Sequence, residues 1–351
     1  MSAPPPFTRA RTRGKKRPTL RDVAQLAGVS IKTASRVVNS EPGVSPQKVE
    51  AVQRAIQELD YRQHVGASSL RRADGRTAAV AALLEDLANP FSAGVHRALE
   101  DAARERNVLI FAGSVDENPE REHQLVRAFT SRGADALVIV PATNQHSYLE
   151  AEVMPDTPVV FVDRPPVGFK ADCVMTDNRE GSSRAVKHLI GHGHRRIGYL
   201  GDLTSIATAR QRYDGYDGAL TLGGLSIPHH YVVHNLHDQA TAQAAVEQMM
   251  GLAEPPTALF AAQNNITVAA VRVLQQLGLE RTVALVGFDD FPLADLMRPG
   301  ITVVAQDPAA IGRQAAEILF ARLGGDTSPP ATTIVPTRLI ERGSGELRPD
   351  A

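Results

Sequence analysis

TLRDVAQLAGVSIKTASRVVNS, residues 19–40, reads as two short helices broken at AGVS. Thr19 sits where an N-cap belongs, with Asp22 three positions on as the acidic half of a capping pattern. Val23, Ala24, Leu26 and Ala27 form one apolar face, and Gly28 ends the turn. Ser30 then caps a second helix with Ala34, Val37 and Val38 inward. A third helix follows, with Ser45 as cap, Pro46 in the first turn, and Val49, Val52, Ile56 and Leu59 at helical spacing. Three short helices with tight connections predict a compact bundle. Its pattern alone does not distinguish a DNA-reading element from the first helices of an enzyme.

The chain around this bundle narrows the choice. Its 351 residues exceed the usual size of one domain, and 43% hydrophobic with 22% charged residues suits a soluble protein with a sizeable core. No run approaches the roughly 20 apolar residues that span a bilayer, and the first residues lack the apolar stretch of a secretory signal. These features predict a cytoplasmic protein with no membrane partner, and the DNA-binding reading developed below would make it nucleoid-associated. The single cysteine, Cys173, excludes an intramolecular disulfide or a cysteine-rich metal cluster.

The net charge of −1 conceals an asymmetry, because residues 1–76 hold 15 Lys and Arg against 6 Asp and Glu. The head therefore carries +9 and the remainder −10. Such a head fits a polyanionic partner, although six of its basic residues lie in the first 18 and could be a solvated tail. Residues 1–18 read as a disordered basic tail, and 63–76 (within YRQHVGASSLRRADGR) as a linker. Beyond residue 77 apolar strands alternate with amphipathic helices, which predicts parallel doubly wound sheets. About a dozen strands are too many for one compact open sheet and require two lobes. No internal sequence repeat is visible.

TLRDVAQLAGVSIKTASRVVN followed by VSPQKVEAVQRAIQELDYR resembles the headpiece of the LacI/GalR family of bacterial transcription regulators. The likeness continues in family order through ASSLR, NPF, FVDR, GHRRIGYLG, TARQRYDGY, LVGFDD and VAQDPAAIG to TRLIERGS. It implies a small all-α helix-turn-helix headpiece at 19–62, a hinge at 63–76, and an α/β core at 77–345 like a periplasmic binding protein. That core would have two doubly wound lobes, an N-lobe of about 77–176 and 307–336 and a C-lobe of about 177–305 and 337–345, leaving 346–351 as a tail. The chain would cross between them near Thr176, near residues 305–307 and near Pro336.

At the DNA end, the start of the second helix enters the major groove in this motif. Ile31, Lys32 and Arg36 are the expected base readers. Lys32 and Arg36 can donate to guanine, and Ile31 can meet a thymine methyl. Thr19, Thr33, Ser35, Asn39, Ser45 and Tyr61 resemble the family's backbone contacts. Lys48-Val49 replaces the common Thr-Arg of the third helix, so one phosphate contact is remade by Lys48 or lost. Leu70 is the expected minor-groove wedge. Gly66 and Ser68 replace Ala and Arg there and lower helix propensity.

At the effector end, the resemblance implies a polyol site built from Asn89, Phe91, Ser92, Asp163, Arg164, Thr208, Arg212, Gln263, Asn264, Asp289 and Gln306. Ser92 stands where many relatives carry a second aromatic. Gln263-Asn264 replaces Asn-Asp, and loss of that carboxylate predicts tolerance of a more anionic ligand. His188, His192 and His194 invite a metal reading, but no HExxH-like acid accompanies them. No Ser/His/Asp arrangement is apparent, so neither catalysis, a metal nor a cofactor is expected. The leading expectation is a repressor that binds a palindromic operator as a homodimer under control of a small sugar-like effector. The alternative is a sugar-binding protein or sugar-active enzyme with an incidental basic N-terminus. No heptad run follows the core, which favours a dimer over a tetramer.

Overall fold

The computed structural model describes residues 18–38, 41–61, 77–226 and 228–349. The expected basic tail, the hinge with Gly66, Ser68 and Leu70, and the backbone contact Asn39 lie outside the described residues, apart from Pro18 and Thr77 at their edges. Two compact units divide at Thr77 and Ala78.

The first unit holds α1 (Leu20–Leu26), α2 (Ile31–Val38) and α3 (Pro46–Glu58). The capping box at α1 forms as the residues dictate. Thr19 Oγ1 accepts from the Asp22 amide at 3.3 Å and Asp22 Oδ2 accepts from the Thr19 amide at 2.7 Å. Gly28 takes φ +63° in the turn, a conformation that costs glycine little. Ser30 Oγ accepts from the Thr33 amide at 3.1 Å at the start of α2. Ser45 occupies the cap position of α3, but its side chain makes no capping hydrogen bond. Val23, Ala24, Ala34, Val52 and Ala55 are the buried centre, with Val37, Ile56, Leu59 and Tyr61 packed around them. Val38 is half-buried beside that cluster rather than within it.

The second unit contains two six-stranded sheets of the same strand order. The first sheet combines β1 (Ala79–Leu84), β2 (Leu109–Ser114), β3 (Ala136–Ile139), β4 (Val159–Val162), β5 (Asp172–Thr176) and β11 (Thr332–Val335) in the order β11-β5-β4-β3-β1-β2. The second combines β6 (Ile197–Leu200), β7 (Val232–Val233), β8 (Ala258–Ala261), β9 (Ala284–Phe288), β10 (Thr302–Ala305) and β12 (Arg338–Ile340) in the order β12-β10-β9-β8-β6-β7. All pairings between these strands are parallel except β10 with β12. Every residue of β1, β3, β4, β5, β6, β8, β9 and β10 is buried, as strands covered on both faces require. The edge strand β2 alternates exposed and half-buried residues. The architecture thus repeats although the sequence does not, because burial constrains residue class and leaves identity free.

The chain passes between the lobes after β5, after β10 and between β11 and β12. Two passages are tied together. Asp177 Oδ1 accepts from the Thr337 amide at 2.6 Å, and Thr176 Oγ1 donates to Val335 O at 2.8 Å. After β10 the helix α11 (Pro308–Leu323) returns to the first lobe and packs on α4 (Pro90–Arg104). Gly312 permits that approach, since a Cβ there would lie 2.6 Å from Val95 O.

Residues beyond the boundary expected at 345 still pack on the second lobe. The Glu346 carboxylate accepts from Thr302 Oγ1 at 2.9 and 3.0 Å, and Leu347 packs on the second lobe's core. His194 Nε2 bonds Leu347 O at 2.8 Å on the same surface.

Candidate functional site

Two places carry the expected chemistry. In the helix-turn-helix, Ile31 and Lys32 are exposed at the amino end of α2, and Ile31 leaves 45% of its surface to solvent. An isoleucine so exposed on an otherwise amphipathic helix has apolar surface available for a partner. Arg36 is different. Its guanidinium donates to Pro42 O, lies 3.6 Å from the Glu41 carboxylate, and closes over Gly43. To read a base, Arg36 has to exchange these contacts for DNA. Thr33 is occupied by Ser30, at 2.9 Å between hydroxyls. Thr19 is tied into its capping box, and Ser45 is exposed at the end of α3. Tyr61 packs on the bundle core, leaving part of its surface accessible.

The second place is a cleft between the lobes. Its lining comes from the carboxyl ends of strands in both sheets, where doubly wound folds gather ligand groups. Asp163 follows β4 and Asp289 follows β9, and the two are built alike. They adopt φ +69° and +70°, and each donates its amide at 2.9 Å to the neighbouring strand, to Val174 O and Val304 O. Both turns thus aim a carboxylate into the cleft from opposite lobes.

Arg212 enters from α8 (Ala207–Leu222) and is nearly buried. It donates to Asn178 Oδ1 and Ala262 O, both at 2.8 Å, stands 3.4 Å from Asp289, and stacks 3.9 Å from the Phe288 ring centroid. Gln306 Nε2 donates to the other Asp289 oxygen at 2.7 Å. Burial nevertheless holds the Asp289 carboxyl above its ordinary range, against the opposing pull of Arg212 and Gln306. Arg164 grips Glu117 with two hydrogen bonds, at 2.6 and 2.7 Å, and donates to Pro141 O at 2.7 Å. Burial acts against its charge, but Glu117 outweighs burial and raises the guanidinium pKa.

Asn89 and Asn264 meet across the cleft in a reciprocal amide pair, at 3.0 and 3.4 Å. The pair bridges the lobes, and of the two Asn89 also lines the cleft. Gln263 does line it, yet its carbonyl oxygen caps α10 (Asn264–Leu277) by accepting from the Asn265 amide at 2.9 Å. Phe91 and Thr208 lie at the wall as expected. Ser92 does not. It is 1% exposed, turned into the first lobe, and its hydroxyl has no hydrogen-bond partner among the described residues.

Sequence patterns missed Glu85, Glu117 and Asp202, which also line the cleft. Each follows a strand by one to three residues, and that position was the available signal. Asp202 accepts from His237 at 3.1 Å, and this hydrogen bond raises the histidine's pKa against burial. The carboxylate absent at Gln263-Asn264 is therefore more than replaced, and the expected tolerance of an anionic ligand does not follow.

The three histidines of HLIGHGH are structural. His188 bonds Glu346 at 2.6 Å, His192 bonds His188 O at 2.9 Å, and His194 bonds Thr257 and Leu347 O at 2.9 and 2.8 Å. Among the described residues no group of three His, Cys, Asp or Glu is placed to hold a metal ion.

Two family profiles match the chain. The profile of bacterial regulatory proteins of the lacI family matches residues 19–63, and that of the periplasmic binding protein-like domain matches 186–345. The HTH-type transcriptional regulator GalR of Escherichia coli K12 is 30% identical over 329 residues, covering 93% of this chain and 95% of GalR. This chain belongs to the LacI family of bacterial regulatory proteins. The ribose operon repressor of the same strain is 29% identical over 93% of this chain and 99% of its own length. A solved complex of the transcriptional regulator CelR with cellobiose is 30% identical with a TM-score of 0.69, covering 93% of this chain and all of that one. The lac repressor dimer bound to operator shares the fold at a TM-score of 0.82 and 23% identity, over 95% of this chain. The relatives are transcriptional regulators and not enzymes. No helix among the described residues is long and apolar enough to cross a membrane.

Proposed function

We propose that this chain is a repressor that binds a palindromic operator as a homodimer in the cytoplasm and answers to a small polyhydroxylated effector in the interlobe cleft. The reading rests on the Asn89–Asn264 pair, which bridges the lobes beside the cleft. A ligand that enters has to remake this bridge, so its binding energy changes the relation of the lobes. Asp163 and Asp289 accept from vicinal hydroxyls, Arg212 donates to a ring oxygen, and Phe91 covers an apolar sugar face. Ile31, Lys32 and Arg36 read base edges, Thr19, Thr33, Ser35, Asn39, Ser45 and Tyr61 hold the backbone, and Leu70 opens the central step.

The test couples two measurements on the full chain. Footprinting upstream of its own gene locates a two-fold symmetric site, and a thermal-shift screen of sugars and polyols finds compounds that also change that footprint. Protection of a single asymmetric site, or a stabilising sugar that leaves operator affinity unchanged, refutes the proposal.

A further inference from the structure

The lining of the cleft carries more acid than base. Among the described residues its charged groups are Glu85, Glu117, Asp163, Asp202 and Asp289 against Arg164 and Arg212. Internal pairing accounts for only part of this. Glu117 and Asp163 both stand against Arg164, Asp289 stands against Arg212, and Asp202 receives His237. Glu85 is left over. It follows β1 directly, is half-buried, and no hydrogen bond or ion pair of its side chain occurs among the described residues.

The charged groups around Glu85 are Glu117 and Asp86, which repel its charge, and Arg164 and His237, which favour it. Burial, then Glu117, push its carboxyl up to about 7. Two further polar atoms of the lining also lack a hydrogen-bond partner among the described residues, Arg164 Nε and Gln306 Oε1. Arg164 is itself 9% exposed, and its Nε lies 3.4 Å from the Asp163 carboxylate without a hydrogen bond to it. Among these groups Glu85 is the one that a positively charged ligand group would complement. A half-buried carboxylate that Arg164 and His237 favour without a direct hydrogen bond or ion pair is costly to ionise, and an anionic ligand would increase that cost.

We propose that the effector is a polyhydroxylated ammonium compound, of the amino-sugar class, whose ammonium is received by Glu85. The inference deepens the effector reading above and rests on it. The hydroxyls of the same ligand meet Asp163, Gln306 and Arg164 Nε. The proton balance is explicit. With its carboxyl raised to about 7, Glu85 is mostly protonated at slightly acid pH, the ammonium group displaces that proton, and it passes to the buffer. Sugar acids and sugar phosphates are disfavoured by the same charge surplus.

Titration calorimetry on the full chain tests this with matched probes: the hexose, the 2-amino-2-deoxyhexose and the hexuronate of the gluco, galacto and manno series. A slightly acid pH keeps the amines charged, and two buffers of different ionisation enthalpy count protons. The expected result is that in one series the amino sugar binds about tenfold or more tighter than the hexose, as one partly buried charge pair provides. The uronate is weakest, and close to one proton is released. Glu85→Gln collapses the amine-to-hexose ratio and abolishes proton release. The wild-type proton count stands without the variant. Equal binding of hexose and amine, or tighter binding of the uronate, with binding still lost in Arg212→Met, overturns the inference and leaves the cleft reading intact. Binding that survives both Arg212→Met and Asp289→Asn overturns the cleft reading instead. Silence of the whole panel counts against both.

Discussion

Arg212→Met removes the guanidinium that organises the second lobe's half of the cleft while keeping most of its volume. The change deletes donors to Asn178 Oδ1 and Ala262 O, the charge facing Asp289 at 3.4 Å, and the stacking over Phe288. Asp289 stays, 7% exposed, with Gln306 as its remaining side-chain donor. Removing one partner of a buried ion pair leaves an uncompensated charge and costs about 3–5 kcal/mol. The cost depends on pH in a defined direction. The Asp289 carboxyl already lies above its ordinary value because of burial, and losing Arg212 raises it further. An acid whose folded pKa is raised binds more protons in the native state. Its stability contribution is present below the unfolded pKa and is lost as pH rises through the folded one. The deficit of Arg212→Met relative to wild type should therefore be small near the unfolded carboxylate pKa of about 4 and largest around neutrality. Urea titrations followed by tyrosine fluorescence report it directly, since the chain has no tryptophan and Tyr199, Tyr213 and Tyr216 surround this region. Adding Asp289→Asn removes the orphaned charge and should restore more than half of the loss at neutral pH. A deficit flat from pH 4 to 8, or a double variant as unstable as the sum of its singles, refutes the account of Arg212 as counter-charge to Asp289.

Other perturbations follow from the same contacts. Arg36→Ala abolishes operator-specific shifts in a gel assay while leaving effector-induced stabilisation in place; equal operator affinity removes Arg36 from base reading. Glu41→Gln frees the Arg36 guanidinium from an exposed partner and should tighten operator binding by up to about fivefold, consistent with the small worth of such pairs, and an unchanged or weaker affinity argues against that competition. Leu70→Ala lowers the ratio of operator to random-DNA affinity in competition assays, and an unaltered ratio sinks the wedge role. Gly215→Ala places a Cβ against Arg179 O and 2.8 Å from Ser182 Cβ, where α8 crosses α7 (Asn178–Gly191). Overpacking there should cost about 1–3 kcal/mol in the same urea titration; a neutral effect contradicts the close helix contact.

Much of the molecule was legible along the chain because the relevant physics is local. The capping box at Thr19 and Asp22, the turn at Gly28 and the apolar face of Val23 and Ala24 are decided by residues a few positions apart. Strand and helix alternation was legible for the same reason, since fully buried parallel strands demand unbroken apolar runs. Motif order sufficed to place the family. Long-range pairing governs what was not legible. Gln263 looks like a ligand group in sequence, but the adjacent helix start takes its carbonyl oxygen. Asn264 looks like its partner, yet it faces Asn89, 175 residues away, across the lobes. Ser92 falls on the helix face that packs inward.

The sequence by itself determined a helix-turn-helix followed by a two-lobed doubly wound core, and it named the residues that local signals place at strand ends. Tertiary structure alone decided the charge of the cleft. That property is a sum over Glu85, Glu117, Asp163, Asp202 and Asp289 from separate strands, together with the pairing of Arg164 and Arg212. Coulomb interactions in a closed cleft depend on distance in space, and no spacing along the chain encodes which carboxylates fold to the same side.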